Sequence, residues 1–170
     1  MNVQEAVGQQ LGFWHGVVNG MVSDCSDALN KPVSGATINS IASVYAHSVW
    51  SEDAIVNGML QGKPIMFKSD GWESKTGVTF PGDQPFMGDW AKTFKMDFPK
   101  FKDYANAVFA NTDNYLAGVS DAELKQKTQT PAGEQTKEWV VSVLLGTHLP
   151  QHAGEIAALK GVQGLKGLPF

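Results

Sequence analysis

Apolar and polar positions alternate along this chain with helical spacing over four stretches. From about 3 to 29, Val7, Leu11, Trp14, Val18, Met21 and Cys25 recur at intervals of three and four. That is the seam of a helix packed in a bundle. Asn30-Lys31-Pro32 stops it, and a short turn follows at 33–36. Side chains from Thr37 to Ser40 offer caps for a second helix, which the pattern carries to about 60. A third helix is predicted over about 99–116. Its inner stripe is Phe101, Tyr104, Ala105, Val108, Thr112 and Tyr115, and Gly118 ends it. Ser120-Asp121-Ala122-Glu123 reads as a capping box for a short helix, and 128–135 reads as a connector. The fourth helix is predicted from about 136 to 160, before a glycine-rich end at Gly161, Gly164 and Gly167.

Between 61 and 98 no long helical period appears. Glycines and prolines punctuate Phe67, Trp72, Phe80, Phe86, Trp90 and Phe94, with room for a turn of helix at 89–93. So many rings pack on something. A long irregular stretch in a compact domain is often functional, and we expect a lid over one end of the bundle. Trp72, Trp90 and Phe94 are the rings expected nearest the site. A structural crossover is the equal alternative. The fold class expected is all-α, a four-helix bundle in one domain over 1–170, with this crossover between helices two and three.

The chemistry lies in the fourth helix. His148 and His152 stand four residues apart, and four residues on a helix return to the same face. At about 100° per residue, Val141, Leu144, Leu145, His148, His152, Glu155 and Leu159 share a stripe. Imidazoles in line with core leucines need partners for both nitrogens, and a shared metal ion resolves this. The His-Glu-x-x-His pattern is absent, because Leu149 follows His148. Glu155 is one turn beyond His152 and is a candidate for orienting a ligand or water. Pro150 removes one helical hydrogen bond, and its ring presses on the carbonyl of Gly146. A kink is expected there.

His47 lies in the second helix on a face of small residues, Ser40, Ser43, Ser51, Ala54 and Gly58, which allow close approach. Glu52 and Asp53 are expected at the surface. His15 is expected at the rim of the first helix's seam, hydrogen-bonded to water.

Composition narrows the function. The chain has 170 residues, 42% of them hydrophobic, with a net charge of −4. No basic tract invites nucleic acid, no apolar run reaches eighteen residues, and no basic leader opens the chain. Cys25 is the single cysteine; it sits on the core stripe and suits a reducing cytoplasm.

Ile38-Asn39-Ser40-Ile41-Ala42-Ser43-Val44-Tyr45-Ala46-His47, the His148/His152 pair, and the run from His152 through Gly154-Glu155 to Gly161 together resemble the DinB/YfiT-like metalloenzyme superfamily. The resemblance spans nearly the whole chain. It implies a four-helix bundle, often a homodimer, with one divalent metal ion (nickel or zinc) held at positions matching His47, His148 and His152. Pro150 departs from the commoner residue between the pair. Some such proteins are thiol-dependent S-transferases or isomerases using a low-molecular-weight thiol. The function expected is therefore S-transfer to a small electrophile. The alternatives are a metal-dependent hydrolase and a non-enzymatic metal-binding stress-response protein. The partner expected is a small molecule, with neither nucleic acid nor membrane.

Overall fold

The structure, a computed structural model, describes residues 1–34, 37–81 and 89–170. Helix α1 spans Val3–Ser23 and opens on a reciprocal capping box between Asn2 and Glu5. Helix α2, Ile41–Asp53, starts at Ser40, whose hydroxyl accepts from Ser43 N. It continues without a break into widened π turns over Ala54–Leu60. Short helices α3 (Met66–Ser69), α4 (Trp72–Thr76) and α5 (Asp89–Thr93) follow. Helix α6 is Phe98–Gly118 and α7 is Asp121–Leu124. Strands β1 (Lys127–Thr130) and β2 (Gly133–Thr136) then pair antiparallel. The last long helix is continuous: α8 at Lys137–Trp139, π turns over Val140–Leu145, and α9 over Gly146–Val162.

Four long helices thus form the bundle among the described residues, as the apolar periods predict. α1 and α9 run parallel, since Gln10 meets Gly146 and Met21 meets Lys160. α2 and α6 also run parallel, since Tyr45 meets Phe101 and Asn57 meets Asn111. α1 lies antiparallel to α6: Asn19 pairs with Asn106 and His15 with Phe109. α2 packs on both α6 and α9, and almost every residue from Ile41 to Asn57 is buried. It is the central helix.

Several expectations need correcting. Residues 128–135 form the hairpin of β1 and β2, tied down by Thr128 Oγ1 donating to the carbonyl of Met59 at 2.7 Å. In the inner stripe of α6, Leu116 is buried where Tyr115 was expected, and Tyr115 is half-buried. Glu52 and Asp53 are not surface charges but 3% and 0% exposed. His15 is not a wet rim residue; it is 6% exposed and stacks on Phe109 with ring centroids 3.8 Å apart. The reason is one network. Glu52 Oε1 accepts from His15 Nε2 at 3.0 Å and from Thr112 Oγ1 at 2.6 Å, joining α1, α2 and α6. Each buried polar group is the other's solvent.

Asp53 does the same for the crossover. Its carboxylate accepts from Tyr104 Oη, Asn57 Nδ2 and the backbone N–H groups of Met66 and Phe67. It therefore caps α3 from outside and fixes where the 61–98 segment lands. The aromatic rings of that segment fill the α2/α6 side. Phe67, Phe80, Trp90 and Phe94 surround Trp50, and Trp72 lies against Tyr104. Trp72, Trp90 and Phe94 thus extend the core on that side. Phe86, and the turn residues Gly35 and Ala36, lie outside the described residues. Among the described residues no helix is long and apolar enough to cross a membrane.

Removing the Glu52 carboxylate orphans a buried imidazole and a buried hydroxyl together. Glu52→Ala is expected to lower the unfolding free energy by about 3 kcal/mol, measured by urea denaturation. A loss below about 0.5 kcal/mol, the size of a surface substitution, would show that the network does not hold the bundle.

Candidate metal centre

The site is built where α2 meets α9. His47 is on α2; His148 and His152 are one turn apart on α9. The buried row of α9 is Leu149, Ala153, Ile156 and Leu159, with Gly146 and Lys160. The histidines and Glu155 occupy the adjoining row and are half-buried. This corrects the single stripe expected from the sequence: apolar side chains take the core, and rings with polar nitrogens sit at its edge.

The backbone ahead of the pair is specialised. Gly146 N donates to the carbonyl of Val141, five residues back. A Cβ on Gly146 would lie 3.3 Å from that oxygen and 3.4 Å from Val7 Cγ2, so the widened turn and the approach of α1 both favour glycine. Pro150 has no N–H to offer the Gly146 carbonyl. Gln10 Nε2 of α1 fills that role at 3.0 Å. The helix accordingly passes through Pro150 to Val162, and its departure from α geometry lies upstream, at Val140–Leu145.

The three rings converge. Ring centroids are 5.0 Å apart for His47 and His148, 4.7 Å for His47 and His152, and 4.5 Å for His148 and His152. One nitrogen from each lies within 4.8 Å of the other two. Nitrogens about 2.1 Å from a tetrahedral ion are roughly 3.4 Å apart, so small side-chain rotations close the set. His152 Nδ1 pairs with Glu155 Oε2 at 2.9 Å, and His47 Nδ1 faces Ser51 Oγ at 3.5 Å. Nδ1 of His148 is buried with no hydrogen-bond partner among the described residues. An orphaned nitrogen, two rings steered by neighbours and three imidazoles in contact fit a divalent cation.

Electrostatics agree with that chemistry. Burial, and then the neighbouring His152, lower His47 from the ordinary 6.5 to about 4, against the pull of Glu155. Burial, then His152 and His47, lower His148 to about 3. Both are therefore neutral near pH 7, the form that ligates metal. The structure brings together the residues singled out from the sequence, His47, His148 and His152, with Glu155 against His152. Sequence reasoning missed Ser51 as a partner of His47, although the spacing of four residues was there to be read.

These shifts set a pH window for the metal-free protein. Below 6.5 the unfolded chain protonates both rings, while the folded chain holds them neutral until about 4 for His47 and about 3 for His148. The unfolded state binds more protons, so stability falls as pH falls through that window. Urea midpoints measured with chelator present are expected to drop between pH 7 and pH 4, and His148→Gln is expected to shrink the drop. An identical drop in the variant would contradict the assignment.

The comparisons with known proteins bear on this fold and site. The chain is similar to a conserved protein from Enterococcus faecalis of known crystal structure, with a TM-score of 0.74 and 18% sequence identity, covering 95% of this chain and 97% of that one. At that identity the likeness shows the fold. No curated protein matches the chain. The model of the DinB superfamily matches residues 17–156, which takes in His47, His148 and His152, and the chain belongs to the DinB superfamily.

Proposed function

We propose that His47, His148 and His152 hold one divalent metal ion, nickel or zinc, and that the protein is a thiol-dependent S-transferase acting on a small electrophile in the cytoplasm. The observation that carries the reading is the convergence of three imidazoles where α2 meets α9. Three protein ligands leave a coordination position open, as catalytic sites do. Bound there, the ion supplies positive charge that lowers the pKa of a low-molecular-weight thiol.

The chain's residues do the rest. Glu155 holds the His152 ring through Nδ1, leaving Nε2 for the ion; Ser51 does this more weakly for His47. In the transfer itself a sulfur–carbon bond forms, the leaving group departs with its electron pair, and the thiol proton passes to solvent. No protein base is required. That favours S-transfer over hydrolysis, because the carboxylate beside the cluster is already engaged with His152. Hydrolysis is the second reading: the Glu155 side chain is 39% exposed, which leaves it access to a water.

Purified protein is expected to carry one divalent ion per chain by mass-spectrometric metal analysis. His148→Ala and His152→Ala should each abolish it while the helical circular dichroism persists. Glu155→Ala should retain the ion with affinity weakened about 10- to 100-fold. Wild-type levels of metal in both histidine variants would refute the ligand set.

The activity is tested by incubating metal-loaded protein with thiols and small alkyl or epoxide electrophiles. Conjugate is expected, and it should disappear on chelation and return on adding the metal. Metal-dependent ester or amide cleavage without conjugation would support the hydrolase. Metal binding with neither reaction would leave a non-enzymatic metal-binding stress-response protein.

A further inference from the structure

After α9 the chain turns back along the bundle. Gly164 takes the left-handed conformation, at φ 77°, and Leu165 N donates to the carbonyl of Lys160 at 2.9 Å. That is a glycine stop of a helix. A Cβ on Gly167 would lie 3.2 Å from the carbonyl oxygen of Ala157, so the tail lies directly on α9. It reaches α1 as well, where the rings of Phe170 and Phe13 are 6.1 Å apart. Between the tail and the two helices is a cavity of about 240 Å³, with Met21, Asp24, Lys160, Leu165, Lys166 and Pro169 in its wall.

Lys160 is the unusual residue of that wall. Lysine is almost never fully buried unless its charge is paired, yet Lys160 is 3% exposed. Its ammonium has three donors. Among the described residues one of them is used, to the carbonyl of Met21 at 2.7 Å, and no carboxylate forms an ion pair with it. The end of α1 thus offers Nζ a carbonyl and part of a negative charge, but not a counter-ion. Lys166 brings a second ammonium to the same cavity. Among the described residues its Nζ donates to the carbonyl of Pro169 at 3.0 Å and likewise has no acidic partner.

We propose that this cavity binds a small monocarboxylate with a short aliphatic chain. The carboxylate oxygens accept the remaining N–H groups of Lys160 and Lys166, and the chain lies on Met21, Leu165 and Pro169. Charge selects the class. Lys160 and Lys166 against Asp24 leave the wall one positive charge in excess, which a single carboxylate cancels. Inorganic phosphate brings more charge than that and has no use for the apolar side. The space equals about eight water volumes at ~30 Å³ each, enough for butyrate. The site is separate from the histidines. Lys160 lies about 12 Å along the helix beyond His152 and meets α1 through Met21, whereas the histidine pair meets His47 on α2.

Titration of the full chain with butyrate, followed by the backbone amide NMR signals, tests the proposal. Wild type is expected to show saturable shifts at Leu165, Lys166 and Gly167, with a dissociation constant of about 1 mM, within reach of so small a ligand. Butyramide, which has the shape without the charge, should bind about tenfold more weakly or worse, and inorganic phosphate should also bind more weakly. Lys160→Met keeps the aliphatic stem and removes the ammonium, so butyrate affinity should fall by about tenfold or more. That change also takes a hydrogen bond from the end of α1, so two variants at exposed positions accompany it. Lys166→Gln should weaken binding about threefold, and Asp24→Asn, which removes the competing carboxylate, should tighten it by about as much. A purely structural Lys160 predicts neither change. If Lys160→Met does not fold, the opposite signs of these two effects decide. No saturable shift at 165–167 well beyond the expected concentration would overturn the proposal. So would equal binding of butyramide, tighter binding of phosphate, wild-type affinity in a folded Lys160→Met, or no response to either exposed substitution.

Discussion

The buried carboxylate of Glu52 governs how this bundle is put together. A carboxylate at 3% exposure has to be hydrogen-bonded, and its partners come from two other helices, His15 on α1 and Thr112 on α6. That sets the rotation of α2 about its own axis. His47 lies five residues earlier, about 140° around the helix, so the same constraint that turns Glu52 toward α1 and α6 turns His47 toward α9. One residue on, Asp53 gathers Tyr104 and the amides of Met66 and Phe67, which anchors the start of the crossover on the α2/α6 side. Two adjacent acids thus sort the two sides of the central helix.

The long helices were legible because their apolar periods are long and regular, and the histidine pair of α9 was legible as a candidate site because imidazoles four residues apart must share a face. The errors have a common cause. Glu52 and Asp53 were placed at the surface on residue type alone, yet α2 carries no other charged residue from Ile41 to Leu60. A helix that apolar all round is central, and a charge within it is buried with a partner. His15 belongs to the run Leu11, His15, Val18, Val22, spaced four, three and four; that seam implied burial. The aromatic segment could not be placed, because local sequence does not say which face a ring-rich stretch covers. The Asp53 contacts that decide it bridge 13, 14 and 51 residues.

The local specialisations of the last helix have a shared logic. The widened turns at Val140–Leu145, the glycine at 146 and the proline at 150 all perturb regular hydrogen bonding just ahead of His152. The loss at Pro150 is met from a neighbour, by Gln10 of α1 at the Gly146 carbonyl. At Gly146 the irregular backbone is therefore held by α1, and π turns are frequent where a helix presents functional side chains. It sits beside an orphaned His148 nitrogen and a carboxylate-steered His152, and together these give the groove the makings of a cation site.

The central claim, that these three rings share one ion, is tested most directly by anomalous diffraction from crystals of metal-loaded protein, collected at the edge of the metal found. The account predicts a single strong peak at the α2/α9 groove, with one nitrogen each of His47, His148 and His152 about 2.0–2.1 Å away if the ion is zinc. A peak elsewhere, or one that fewer than three of these rings approach, would contradict it.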